Sequence, residues 1–480
     1  MTMTEQTALS EIISINPADG SVAGRVAETD LATLDQVVET AWQAYRNSGW
    51  AQLMPHQRAD RLRAIADALL AEKPALAELQ MHDNGKPLSE CCGMVDYAVG
   101  AFRYYASACE TLETPVTPSR GQYLSFTVLE PYGVVASITP WNSPLMNDAT
   151  KVAPALAAGN AVIMKPSEDA PLMAGELVRI AEAAGLPAGL MQVVQGRGAQ
   201  VGAALVAHPG VRMVSFTGGT TTGQAIGKAA ADKVMPVALE LGGKSPHIIF
   251  DDADLELAEA GVIAGIFGSS GQSCVAGSRV FIQRSIYDAV LARLVARAKQ
   301  IKVAAPDAEG VEMGPLVSLA HRDKVDAFVR RAVADGAQLL CGGKAPEGAE
   351  FAKGAYYLPT ILAEQGPDSY SCQTEAFGPV MSVLPFDSEE SLIAMANGTA
   401  FGLAAGLWTE DFKKAWRVGR AIEAGSCWIN TYKQSVTSTP FGGFKTSGIG
   451  REKGLDGLRL YGQVKSMYLG LQTAPAPVAK

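Results

Sequence analysis

Two residues stand out as a pair that could make and use a nucleophile: Cys274, in Gly271-Gln272-Ser273-Cys274, and Glu240, in Leu239-Glu240-Leu241-Gly242-Gly243-Lys244. A thiol with an ordinary pKa of about 8.5 is only slightly ionised at neutral pH, so a nucleophilic cysteine needs help from its surroundings. A carboxylate can help as a base once burial lifts its pKa toward neutrality. The competing reading of a lone cysteine is a small buried hydrophobe, and Cys109, Cys341 and Cys427 are read that way.

Two further stretches suit a nucleotide. Ala161-Val162-Ile163-Met164 runs as a strand into Lys165-Pro166-Ser167-Glu168. A carboxylate just past a strand can accept hydrogen bonds from a ribose, with the lysine in support; a solvated charge pair is the alternative. Ser215-Phe216-Thr217-Gly218-Gly219-Thr220 leads into a helix. Glycines at such a turn let the backbone approach a pyrophosphate, whose charge the helix N-terminus favours. The stretch lacks the G-x-G-x-x-G spacing, so a tight turn remains open.

These residues need rigid elements behind them. Leu34, Val37, Val38 and Ala41 repeat at i, i+3, i+4, i+7 behind a capping Asp30, and Leu62, Ile65, Ala66 and Leu69 repeat the spacing. The first hundred residues therefore read as mainly helical. From Gly133 to Gly243, short apolar runs at 134–139, 161–165, 191–194, 211–217 and 237–241 alternate with helical stretches, including 172–184 and 224–231. That alternation predicts a parallel sheet covered on both faces. It restarts with 247–250, a helix from Leu255 and 279–282, which predicts a second α/β unit to about Lys445. Leu124, Phe126 and Val128 alternate with polar residues, as do Met467, Leu469 and Leu471. Two such peripheral strands are expected to pair with each other or with a neighbouring subunit.

Composition narrows the class. A 48% hydrophobic and 19% charged chain is ordinary for a globular protein, and a formal charge of -9 argues against nucleic acid. No run is long and apolar enough for a membrane span, and Met1 to Gln6 lack a signal-peptide pattern. Seven cysteines and five histidines form no CxxC, HxxxH or HExxH, so neither a disulfide framework nor a metal site is expected, and the reading is cytoplasmic. Only the ends, Met1 to Ser10 and Thr473 to Lys480, read as disordered.

Seven motifs occur in one order: Pro140-Trp141-Asn142, Met164-Lys165-Pro166-Ser167-Glu168, Phe216-Thr217-Gly218, Leu239-Glu240-Leu241-Gly242-Gly243-Lys244, Gly271-Gln272-Ser273-Cys274, Glu375-Ala376-Phe377-Gly378-Pro379 and Pro440-Phe441-Gly442-Gly443. The series resembles the NAD(P)-dependent aldehyde dehydrogenase superfamily, non-acylating type, from about Asn16 to Leu469. The resemblance implies an α/β fold of two doubly wound domains, a Rossmann-like cofactor domain and a catalytic domain, with a small β oligomerisation arm. The implied boundaries are 1–111 and 132–242 for the cofactor domain, 243–445 for the catalytic domain, and 112–131 with 446–480 for the arm and C-terminal tail. The tail's part in the arm is expected from Tyr461.

The same resemblance implies oxidation of an aldehyde to the acid through a thioester on Cys274. Asn142 and the Cys274 N–H would form the oxyanion hole, Glu240 would activate water, and Lys151 would stand behind Glu240 and relay protons. Lys165 and Glu168 would hold the adenosine ribose, Gly218 and Gly219 the pyrophosphate, and Glu375 the nicotinamide ribose with Phe377 beside the ring. Thr139, Trp141, Ser167, Gly198, Phe216, Thr217 and Leu241 are expected around the cofactor, and Ser143, Asn147, Ser273, Val275 and Phe441 around the substrate. NAD is the expected cofactor, since Glu168 would repel a 2′-phosphate, although Lys165 leaves NADP open. The partners implied are a small aldehyde and further copies of the chain, as a homodimer or homotetramer.

Departures bear on substrate. Ser143 stands where many relatives have an aromatic residue, and Asn147 and Thr150 where larger or more apolar residues are common. Gly219 replaces a frequent serine. A wider, more polar tunnel is expected, suited to a bulky or functionalised aldehyde. Lys433, near the tunnel mouth, could bind a carboxylate; its ordinary reading is a solvated surface lysine. The rivals are a CoA-acylating relative, against which Glu240 argues, and a non-catalytic scaffold of the same fold.

Overall fold

The computed structural model describes residues 10–472, so the terminal segments expected to be disordered lie outside it apart from Ser10. The helix built on Leu34, Val38 and Ala41 spans Leu31–Asn47, and the Asp30 carboxylate accepts the Thr33 N–H at 2.7 Å as its N-cap. Leu62, Ile65, Ala66 and Leu69 line the buried face of helix Pro55–Ala71. Helix Leu88–Thr111 packs on that face and carries the layer across to helix Pro144–Ala157. The mainly helical expectation missed one feature, an antiparallel hairpin of Glu11–Ile15 with Val22–Ala27. The hairpin buries Ser14 and leaves Ile13, Ile15 and Val22 exposed, so no apolar-in, polar-out alternation marks it in the sequence.

Five parallel strands form the first sheet in the order Val237–Glu240, Met213–Thr217, Val134–Ile138, Ala161–Lys165, Met191–Val193. Val134–Ile138 comes first in sequence and lies in the middle. The chain therefore winds outward in both directions from it, which opens a crevice at the carboxyl ends of the strands. The strands are short and β-branched, and they are buried on both faces as the continuous apolar runs predict.

A second sheet of seven strands runs Gln338–Cys341, Thr360–Ala363, Val380–Phe386, Arg279–Gln283, Pro246–Ile249, Ala404–Trp408, Ser426–Ile429, parallel except at the Gln338–Cys341 edge. Separate apolar clusters cover its two faces, one around Val262 and Val280, the other around Ile248 and Leu407.

Tyr123–Pro131 and Gly462–Gly470 pair antiparallel over nine residues, joining strands that are remote in sequence. The tail does not leave the body at residue 446, however. Gly448–Ile449 adds a sixth, antiparallel strand beside Glu240 and Leu239, and Leu458 and Tyr461 enter the core of the first unit. The arm strand itself starts at Gly462. No helix among the described residues is long and apolar enough to cross a membrane.

Candidate active site

The loop carrying Cys274 is held in a costly conformation. After helix Leu255–Phe267, Ser269 and Ser270 have φ of 60° and 53°, and Gly271 follows at 70°. Non-glycine residues in this region cost on the order of 1–3 kcal/mol each and persist only when their surroundings impose it. Here the Ser269 N–H and hydroxyl donate to Glu90 at 2.9 and 2.7 Å, and the Ser270 hydroxyl donates to the Gly314 carbonyl at 2.9 Å. A Cβ on Gly271 would lie 2.1 Å from the Gly378 carbonyl oxygen, so only glycine fits. Buried Gln272 accepts from the Val317 N–H at 2.9 Å through its side chain and from the Asn142 amide at 3.0 Å through its carbonyl. On the far side, Tyr432 stacks on His247 at 4.2 Å and donates to the Val275 carbonyl at 2.9 Å.

Glu240 ends its strand on the other wall of the same cavity. Gly242 and Gly243 follow, and a Cβ on Gly243 would lie 2.4 Å from the Cys274 carbonyl oxygen. The two loops can pass only because that side chain is absent. The Gly243 N–H donates to Glu375 at 3.0 Å, and burial pushes the Glu375 carboxyl up to about 7. Both carboxyl oxygens of Glu240 are buried without a hydrogen-bond partner among the described residues. Burial first, and then the charge of Glu452, hold this carboxyl well above its usual range, with Lys151 opposing.

Lys151, expected behind Glu240, makes no hydrogen bond to it. Its ammonium pairs with Glu452 and donates to Ser215 at 3.1 Å, and Ser215 in turn donates to Glu452 at 3.1 Å. Nothing local in the sequence marks Glu452, which lies 301 residues from Lys151 and reaches the site through the returning tail. The Cys274 thiol is pushed up to about 12, mainly by burial and then by Glu375 and Glu240, while Lys453 and Lys433 oppose. The thiol is thus protonated in this state, beside carboxyl groups whose own affinity for protons is raised.

Beyond these residues lies a groove with the features of a dinucleotide site. Helix Thr220–Ala231 begins at Gly219 with no side-chain cap, which leaves its first N–H groups for a ligand. The hydroxyls of Thr217 and Thr220 are buried without hydrogen-bond partners among the described residues. A Cβ on Gly219 would meet nothing within 4 Å, so the serine of many relatives could stand here, whereas one on Gly218 would lie 2.4 Å from the Phe216 ring. Lys165 is buried, donates to the Pro166 carbonyl at 2.7 Å and lies 3.5 Å from Glu168. Glu168 keeps its carboxylate open, its side chain 42% exposed. Gly198 opens the turn Gly198–Gly202, with room beside it. These orphaned donors and open glycines fit a diphosphate flanked by riboses. Nearer Cys274, Trp141 and Phe377 meet edge-to-face at 5.2 Å, and the left-handed Phe377 (φ 51°) has its carbonyl held by His321 at 2.8 Å. Sequence reasoning missed His321 because a lone histidine carries no pattern.

One cavity of about 1360 Å³ brings together Cys274, Glu240, Asn142, Glu375, Phe377 and every residue expected around the substrate. Trp141, Thr217, Gly218, Gly219 and Leu241 line it too. Lys165, Ser167, Glu168 and Gly198 lie outside its walls, and Phe216 sits under Gly218. Thr139 turns its hydroxyl inward to Asp148 at 2.7 Å, so its side chain does not serve the groove.

The model of the Aldehyde dehydrogenase family matches residues 3–467. The chain belongs to the aldehyde dehydrogenase family. It is 44% identical to a betaine aldehyde dehydrogenase of Cereibacter sphaeroides, over 98% of this chain and 96% of that one. It is 42% identical to the (Z)-2-((N-methylformamido)methylene)-5-hydroxybutyrolactone dehydrogenase of Acinetobacter baylyi, over 96% and 94%. A betaine aldehyde dehydrogenase of Staphylococcus aureus in complex with NAD+ superposes with a TM-score of 0.95 at 37% identity, covering 98% of this chain and 94% of that one. This aldehyde dehydrogenase is therefore an oxidoreductase acting on the aldehyde group with NAD.

The raised thiol pKa has a checkable consequence. Removing a negative charge beside a thiol lowers its pKa and increases the thiolate at a given pH. Without cofactor, iodoacetamide labelling of Cys274, followed by peptide mass spectrometry, is expected to climb with pH without a plateau below about 10. Glu375→Gln is expected to speed labelling several-fold at pH 8, where that carboxyl is ionised. A plateau near pH 8, or an unchanged rate in the variant, would remove this electrostatic account.

Proposed function

We propose that this aldehyde dehydrogenase works through a covalent thioester on Cys274 that Glu240-activated water hydrolyses. The observation carrying the reading is that Cys274, Asn142 and Glu240 open on one cavity beside a groove suited to a dinucleotide. The Cys274 sulfur bonds to the aldehyde carbon as the thiol proton passes to the carbonyl oxygen, forming a thiohemiacetal. The Asn142 amide and the Cys274 N–H hold the oxygen; such preorganised donors contribute about 3–4 kcal/mol in comparable acyl chemistry. Bound NAD would supply the hydride acceptor, and loss of hydride from this carbon together with the hydroxyl proton leaves a thioester on Cys274. Glu240 then takes a proton from water as the water oxygen attacks the thioester, and the Cys274 sulfur departs. Lys151, Ser215 and Glu452 stand behind to pass the proton on. Because Glu240 acts here as a base with a raised pKa, turnover is expected to rise with pH until that carboxyl is ionised.

Lys165 and Glu168 would hold the adenosine ribose, with Gly198 beside them, and Gly218, Gly219 and the helix N-terminus the diphosphate. Glu375 would hold the nicotinamide ribose. Glu168 favours NAD, and the adjacent Lys165 leaves some NADP use open. Ser143, Asn147 and Thr150 line the substrate end, which favours a bulky or functionalised aldehyde, as the names of both relatives suggest. The seven cysteines, all free, fit a reducing cytoplasmic setting. The arm's strands expose Val464 and Tyr468 on one face and Met467 and Leu469 on the other. A thin sheet apolar on both faces needs cover, which favours a homodimer or homotetramer built through it.

Cys274→Ala is expected to abolish reduction of NAD by any aldehyde while NAD still binds; substantial residual turnover would sink the mechanism. Glu240→Gln is expected to lower steady-state turnover by about 10²–10⁴-fold yet keep a rapid first turnover of one NADH per site. Absence of that burst would move Glu240 to an earlier step. Glu168→Gln should raise relative NADP use, and an unchanged ratio of the two cofactors would count against its ribose role. Aspartates at Val464 and Leu469 should reduce the mass seen in sedimentation to that of a monomer, whereas an unaltered oligomer would place the interface elsewhere.

A further inference from the structure

The substrate end of the cavity carries more positive charge than its mechanism uses. Lys86, Lys433 and Lys453 all line it. Of the carboxyl groups on this cavity, Glu240 is unpaired but held largely protonated by burial, and Glu375 accepts the Gly243 N–H. Glu90 accepts both donors of Ser269 and lies 3.7 Å from the Lys86 ammonium, and Glu452 is taken by Lys151. The Lys453 ammonium donates to the Ser435 hydroxyl at 2.7 Å and sits 4.9 Å from the Phe441 ring. The Lys433 ammonium has neither a hydrogen bond nor an ion pair within 4.0 Å among the described residues, although its side chain is half-buried. It hangs over the backbone just before Ser269, 3.9 Å from where a Cβ on Gly268 would stand.

The backbone holds Lys433 there. Its φ of 56° is left-handed, a conformation a lysine keeps only under constraint. Tyr432, one residue before, is stacked on His247 and bonded to the Val275 carbonyl. Gln434, one residue after, has its carbonyl held by the Trp428 indole at 2.9 Å. Burial pushes the Lys433 ammonium down to about 8, with Glu90 opposing, so its charge is fully restored only when an anion arrives; an unpaired, backbone-fixed lysine in such a chamber is a preorganised anion site.

We propose that the outer end of the substrate chamber is a carboxylate-binding subsite, in which Lys433, flanked by Lys86 and Lys453, holds the acid group of an aldehyde acid. The inference rests on the oxidation reading above for the aldehyde end. It names the substrate class as a semialdehyde whose carboxylate lies away from the reacting carbon. Ser143 and Asn147 then provide a polar channel between the two ends.

The test uses Cys274→Ala protein with NAD, so that binding is read without turnover. Succinic semialdehyde, adipic semialdehyde and para-formylbenzoate are titrated by calorimetry, each beside its methyl ester, and a trimethylammonium aldehyde is added as the opposite charge. At least one acid is expected to bind about ten-fold or more tighter than its ester, the size of a charge-assisted hydrogen bond. Lys433→Met should erase that preference and Lys433→Arg should retain most of it. In the enzyme with Cys274 intact, the acid-to-ester ratio of kcat/KM should fall in Lys433→Met mainly through KM; taking a ratio cancels any influence of Lys433 on the thiol itself. Equal binding of acids and esters, tighter binding of the trimethylammonium aldehyde, or a ratio unmoved by Lys433→Met would overturn the subsite. If the intact enzyme oxidised none of these aldehydes while the binding preference persisted, the subsite would stand and the oxidation reading would fall.

Discussion

The site depends on one close approach. The strand ending at Glu240 leaves the first sheet and must pass the loop ending at Cys274, which belongs to the second unit. A single Cβ on Gly243 would sit 2.4 Å from the Cys274 carbonyl oxygen. Glycine at that crossing lets a buried carboxyl and a thiol from separate cores share one cavity. The strain at Ser269 and Ser270 belongs to the same constraint, because the loop must turn sharply to meet the passing strand. Glu90, Gly314 and Val317 then hold it with hydrogen bonds that a less strained loop would not require.

Electrostatics in the cavity follow from the burial of its ionisable groups. Burial raises Glu240, Glu375 and Cys274 together, so protons are shared among groups that would be ionised in water. Charge is admitted only where it is balanced, as in the Lys151, Ser215 and Glu452 cluster, or where the chamber opens toward substrate, as at Lys433. The chamber thus has a deep end lined by buried carboxyl groups and an outer end lined by lysines, and the proposed carboxylate subsite would give a substrate a preferred direction of entry.

Both sheets obey the same rule in a way that serves the site. In each, the earliest strand lies inside and later strands add on both sides. The carboxyl end of Val134–Ile138 leads to Trp141 and Asn142, that of Met213–Thr217 to the glycine turn, and that of Val237–Glu240 to the buried carboxyl. Cofactor groove and chemical centre are therefore adjacent openings of one crevice.

Much of this was legible in the chain itself. The five strands of the first sheet follow from short apolar runs bounded by helical stretches, because a doubly covered strand must be apolar throughout. Motif order singled out Cys274, Glu240 and Asn142, and the fold brings all three to one cavity. The hairpin Glu11–Ala27 was not legible, since its exposed faces carry no alternation. Neither was Glu452, since only the return of Gly448–Ile449 against Leu239 and Glu240 brings it to Lys151. Lys433 was legible only as a candidate carboxylate ligand weighed against a solvated lysine; the packing around Tyr432 and Trp428 is what fixes it over the cavity. Local pattern thus determined the elements and the chemistry they carry. Which charges are buried, paired or left waiting for a ligand was decided by contacts between residues hundreds apart, whose desolvation no local sequence signal records.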